Sequence, residues 1–293
     1  MSVVLALGAA VGFGSADFLG GVASRRRTAL SVALAAQAAG LLVLSLTLPL
    51  LGPAQATPRD LALGWVGGLF GGGGLTLLFR TLARGPMSVV APVAAVVATT
   101  VPVAAGLLLG ERPGLPAVVG IAVALSAVVL ITREGPQETA PDHLDPDAAH
   151  ARPARATPAI IGVALLSGAM FGLFFVCLHG TAPASGMVPL LAARLASVPL
   201  IALLAFGRGE GVRSVLGGQG VAVALLSGVV DMVANVACLV ALRHGMLSVV
   251  SATTGLYPVA TVVLAQAVLG ERLRRPQLAG LGVAALAAGL VSL

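Results

Sequence analysis

Apolar residues fill this chain in runs about as long as a bilayer is thick, separated by short polar breaks. A helix needs about 20 apolar residues to cross the hydrocarbon core, and that ruler fits ten stretches: 2–22, 29–51, 61–82, 86–108, 115–132, 159–180, 187–206, 220–242, 246–269 and 277–293. The breaks carry turn and charge punctuation, among them Arg25 to Arg27, Pro53 to Asp60, Gly85 with Pro86, Glu111 to Pro113, Arg208 to Arg213 and Arg272 to Pro276. One connection is long: 133–158, rich in Pro, Ala and acids, reads as a flexible, solvated linker. The chain is apolar from Ser2 without a basic leader, so its start reads as a retained first span.

The run from Ser248 ends on Gly270, Glu271 and Arg272, and the run from Ser88 ends on Gly110, Glu111 and Arg112. Each pair is separated by 160 residues, as are Gly85 and Gly245, Gly8 and Gly168, Gly12 and Gly172, Gly20 and Gly180, and Gly68 and Gly228. One offset spanning the first half predicts a duplicated five-span unit, 1–132 and 159–293, joined by 133–158. Because five is odd, the second copy enters the membrane from the opposite side. The expected fold is an all-α integral membrane protein: ten transmembrane helices in two inverted five-helix repeats. Many secondary transporters are built this way, with a site near the midplane where the repeats meet.

Composition agrees with a membrane chain: 58% of residues are hydrophobic and 10% charged, against about a quarter charged in globular proteins. The net charge of +6 comes from seventeen basic residues, all Arg, placed mostly in the breaks. That is membrane-flank charge, not a nucleic-acid footprint. Cys177 and Cys238 lie inside apolar runs and read as small hydrophobes. The partners implied are a small-molecule substrate, the lipid bilayer and a coupling proton or other ion, with no nucleic acid and no cofactor; a homo-oligomer is left open.

Ten spans in two units, each fourth span led by "SVV" and closed by "LGER" with prolines inside (Pro92, Pro102 and Pro258), resemble the EamA family of the drug/metabolite transporter superfamily over nearly the whole chain. The resemblance implies an EamA-type ten-helix bundle that moves amino acids, other small metabolites or drugs, often outward and often coupled to an ion gradient, across the cytoplasmic membrane. It also implies both termini inside, whereas the arginines gather in alternate breaks (Arg25 to Arg27, Arg84, Arg133, Arg152, Arg155, Arg208, Arg213, Arg272, Arg274, Arg275) and by count place both termini outside. The connection between spans two and three carries only Arg59, where relatives commonly carry several basic residues.

Asp231 is the sharpest candidate for chemistry, at the centre of the eighth span, where an ionisable group costs about 2.5–3.5 kcal/mol on insertion scales. Asn235, four residues on, shares its helix face; the competing use of both is an interhelical hydrogen bond that locks packing. Arg194 in the seventh span is the natural counter-ion for Asp231 or for a substrate carboxylate, or else it snorkels. Asp17 is a second proton-site candidate, or a group wetted near Arg25 to Arg27. Gln37, Tyr257 and His179 are weaker, although a helix broken beside Tyr257 and Pro258 would free a carbonyl next to a phenol. Arg80, near a span end, reads as an anchor, and Glu111 and Glu271 as charged stops. The first unit has Gly71 where the second has Asp231, so the halves have specialised.

"GWVGGLFGGGG" at 64–74 is no phosphate loop, since no Lys with Ser or Thr follows and the run lies in a span. Gly64, Gly68 and Gly72 instead form a small-residue seam for close helix approach. The leading function is a secondary carrier, driven by a gradient because no ATP-binding motif is present; the alternative is a non-catalytic membrane subunit or scaffold. An enzyme is not expected, as no metal-ligand cluster or nucleophile with a base can be placed.

Overall fold

The computed structural model describes residues 1–51, 54–85, 87–132 and 157–269, with 279, 282, 283 and 286 as isolated positions. Residues 133–156 of the linker, all but those four positions of the tenth span, Pro53, Pro86, the ending at 270–272 and the flanking Arg274, Arg275 and Pro276 lie outside the described residues, as do Arg133, Arg152 and Arg155. Everything long and regular in the rest is α-helical: α1 (Ser2–Ser24), α2 (Ala29–Thr47), α3 (Pro58–Leu82), α4 (Met87–Leu108), α5 (Leu115–Thr132), α6 (Pro158–His179), α7 (Val188–Phe206), the short α8 (Val212–Leu216), α9 (Val221–His244), α10 (Leu247–Thr254) and α11 (Tyr257–Leu269). Among the described residues eight segments are long and apolar enough to cross a membrane, with α10 and α11 counted as one.

Local chemistry sets the helix ends. Pro58 starts α3 where its missing N–H costs nothing, behind a capping box: Thr57 Oγ1 accepts from Asp60 N and Asp60 Oδ2 accepts from Thr57 N at 2.9 Å. Thr28 and Thr157 cap α2 and α6 more simply, each side chain accepting from one backbone N–H, that of Ser31 and of Ile160. The second span is shorter as α-helix than its apolar run, because Leu48–Leu51 tightens into a 3₁₀ turn ahead of Pro53. The ninth span is broken between Thr254 and Tyr257. Pro258 follows, and at Gly255 the backbone of the break lies against Thr99 of α4, where any Cβ would collide with the threonine hydroxyl.

Packing is between halves more than within them. α1 lies along α9 while α6 lies along α3; α2 touches α9 while α7 touches α3; α4 packs on α6 while α10 and α11 pack on α1. Glycine makes these approaches close. On α3, Gly64, Gly68 and Gly72 face Pro189 and Ala192, Ala193, and Ser197 of α7, so the expected seam is used. A second row, Gly67, Gly71 and Gly74, faces Phe174 and Ser167 of α6. At Gly68 a Cβ would meet the Ala193 backbone, and at Gly228 the Ala36 backbone. Large apolar side chains such as Val11, Leu42, Trp65, Leu203 and Val233 stay exposed on the outside, the face a bilayer would cover.

Both ends of the bundle are tied by polar contacts across elements. At one end Arg27 donates to the carbonyls of Ser214 and Gly217, and Ser31 Oγ donates to Glu210. At the other, Asp60 Oδ1 accepts from Ala182 N at 2.7 Å, Arg243 donates to Gly186 O, and Glu111 accepts from Leu247 N at 2.5 Å and Ser248 N at 2.9 Å. Glu111 is therefore more than an interfacial stop: it caps the N-terminus of α10. The turn that aims it is glycine-made, with Gly110 at φ +90° and Gly106 leaving no Cβ where the carboxylate folds back.

Candidate functional site

Five helices bring ionisable or amide groups to one place inside the bundle. Arg194 on α7, buried to 7% exposure, reaches α9 and α2 at once. Its Nη2 donates to Asp231 Oδ2 at 2.5 Å and its Nη1 to Gln37 Oε1. Ser197, one turn along α7, also donates to Gln37 Oε1 at 3.2 Å. Asn235 donates from Nδ2 to Asp231 Oδ2 at 3.1 Å and to the Asp231 carbonyl at 2.8 Å. A guanidinium away from water needs an acid and further acceptors to offset its desolvation, and Asp231 with Gln37 supplies both.

Beside this network is a cavity of about 40 Å³, room for about three waters. Asp231, Asn235, Arg194, Gln37, Asp17 and Tyr257 all line it, so the structure brings the six sequence candidates to a single wall. Asp17 is 8% exposed, on the α1 face that carries Phe13, rather than at the wetted boundary near Arg25 to Arg27. Among the described residues it has no hydrogen-bond or ion-pair partner. Tyr257 stands at the first position of α11, past the break in the ninth span; its hydroxyl, like Asn235 Oδ1, is buried without a partner among the described residues. Each such atom costs stability unless something meets it.

Sequence reasoning did not single out the aromatic side of the cavity. Phe171, Phe174 and Phe175 of α6 and Phe13 of α1 face the acids, with Phe13 and Phe175 ring centroids 5.9 Å apart and Phe174 and Phe175 5.5 Å apart. The signal was there in "FGLFF" at 171–175, since that one turn and a half of helix holds three of the chain's eight phenylalanines. Gly71 and Leu75 of α3 line the cavity too, and they are the residues 160 positions before Asp231 and Asn235. His179 lies at the far end of α6 and takes no part, and Arg80 is exposed on a separate crevice near the Arg27 end. No group of three or more metal-ligating His, Cys, Asp or Glu occurs among the described residues.

A comparison with curated proteins returns no match. A solved structure described as "Crystal structure of protein" matches with a TM-score of 0.60 at 18% identity, covering 98% of this chain and 98% of that one, which is a likeness of fold. The model of the EamA-like transporter family matches residues 1–133 and 158–293. With two matched regions that take in nearly the whole chain, and eight membrane-length segments among the described residues folded around a cavity lined by ionisable and aromatic side chains, this protein belongs to the EamA-like transporter family.

Proposed function

We propose that the protein is a secondary active transporter that exports small metabolites, amino-acid-like compounds or drugs across the cytoplasmic membrane by alternating access. The observation that carries this reading is the cavity wall. A scaffold has no use for two acids, an arginine and two polar atoms without a partner among the described residues gathered at the centre of a membrane bundle, each at a cost. A carrier uses them to hold a polar ligand for part of its cycle. Both halves contribute, with Asp17 and Gln37 from the first and Arg194, Asp231, Asn235 and Tyr257 from the second.

The exchange of contacts supports inverted repeats as the mechanical basis. α1 on α9 answers α6 on α3, α2 on α9 answers α7 on α3, and α4 on α6 answers α10 and α11 on α1. Two repeats related by a two-fold axis would interlock in that way, and each could adopt the other's conformation to swap the open side. Metabolites inside and outside cells producing the wild type, at matched membrane levels with Asp231→Asn and an empty control, test the reading. The expected outcome is a compound exported by the wild type and retained at least about tenfold more with Asp231→Asn, since removing one member of a buried pair costs that much or more. Identical profiles for all three would favour the non-catalytic scaffold.

A further inference from the structure

The two carboxyls and one guanidinium on the cavity wall do not balance. Arg194 is committed to Asp231 and Gln37, which leaves Asp17 as a second carboxyl, more than nine-tenths buried, with no donor among the described residues. A carboxylate in that position has to be neutralised, by a proton or by a cation. The wall around it is aromatic: Phe13 from its own helix, Phe171, Phe174 and Phe175 from α6, and Tyr257 from α11. Ring faces attract a weakly hydrated organic cation and offer nothing to an anion.

The alternatives fit less well. A metal ion would favour a cluster of three or more carboxylate, histidine or cysteine ligands, and among the described residues there is none. An anion would meet one positive group already paired. A zwitterion could give its ammonium to Asp17, but its carboxylate would have to displace Asp231 from Arg194. A monocation with an apolar body needs no such exchange, and the partnerless Asn235 Oδ1 and Tyr257 hydroxyl are acceptors for any N–H it carries.

Resting on the transporter reading above, we infer that the substrate class is a monovalent organic cation with an apolar body, a protonated amine or a quaternary ammonium, held at its charge by Asp17. In the empty carrier Asp17 carries a proton. Loading breaks its O–H bond and releases that proton to water, and the cation takes the place of the proton against the carboxylate, so one charge leaves for each that enters. The resting cavity is smaller than such a molecule, so loading requires the helices to part, which alternating access provides. The other charged or titratable groups facing Asp17 are Asp231 of α9, Arg194 of α7 and Tyr257 of α11; α2, α3, α4 and α6 present Gln37, Gly71, Leu75, Ala98 and the phenylalanines.

The test uses the purified full chain with three probes of similar shape: benzyltrimethylammonium, its neutral isostere neopentylbenzene, and zwitterionic phenylalanine. Equilibrium binding in lightly buffered detergent with a pH dye is paired with flux in proteoliposomes. The expected result is saturable binding of the cation with about one proton released per cation, weakening as pH falls. Asp17→Asn loses the proton release and about tenfold or more in affinity, Asp17→Glu keeps both in part, and Tyr257→Phe keeps the release. Cation binding without proton release, or undiminished in Asp17→Asn, overturns the inference. If only phenylalanine or neopentylbenzene binds and crosses, the inference falls and the transporter reading stands. If the folded protein neither binds nor moves any of the three, both fall.

Discussion

Helices α3 and α9 stand 160 residues apart and do the same mechanical work with different chemistry. Each has a glycine, Gly68 or Gly228, pressed so close to a neighbouring backbone that no side chain fits. One turn further on, each turns a face to the central cavity. There α3 presents Gly71 and Leu75, and α9 presents Asp231 and Asn235. Packing symmetry is thus kept where backbones touch and abandoned where a ligand would be met. That division is physical: a seam between helices tolerates only small residues, while a cavity wall accepts any residue whose polar atoms find partners.

The largest expected effect comes from breaking what the two helices share. Gly68→Leu and Gly228→Leu each drive a side chain into backbone that cannot yield, so each should lose about 3 kcal/mol or more of stability. Gly162→Leu, in open space on α6, is the control. Thermal unfolding after detergent extraction reads the difference. If either seam variant unfolds with the wild type, the close approach carries no weight.

Breaking what the helices do not share should cost less. Arg194→Met strands a buried carboxylate and Asp231→Asn strands a buried guanidinium, each at about 2 kcal/mol, below the range for buried pairs in water-soluble proteins because membrane partners are worth less. The double variant should recover at least half of the summed loss. Full additivity in that cycle would mean the 2.5 Å pair does not couple the helices.

Much of this was legible in the sequence. Run length alone fixes where α1 to α4, α6, α7 and α9 lie, because lipid leaves a backbone no other way to satisfy itself. Every four residues a glycine on α3 announced a seam, and an acid and an arginine in neighbouring spans had little choice but to seek each other. Two things were not legible. Asp17 could be placed at the boundary or in the interior until the rotation of α1 about its axis was known, and that rotation is set by Gly12 and Gly14 against α9 and α11. The role of Glu111 was hidden because its partners are backbone N–H groups 136 and 137 residues away, and backbone donors carry no sequence signature.

That contact extends the comparison of the halves by one helix and gives the smallest effect. Glu111 at the end of α4 caps α10, and its setting depends on Gly106, whose counterpart 160 residues on is Gln266. Glu111→Gln keeps one acceptor oxygen but removes the second and the negative charge that favours a helix N-terminus, so it should cost about 1 kcal/mol. Gly106→Ala attacks the same cap from the other side by placing a methyl where the carboxylate lies. If the cap is what holds α10, the two losses should not add, because either substitution frees the same helix end. Hydrogen exchange at Leu247 and Ser248 separates this from general loosening: those amides should open faster in both variants while the α3 and α9 seams keep their protection. Uniform acceleration across the bundle would instead make Glu111 one ordinary contact among many.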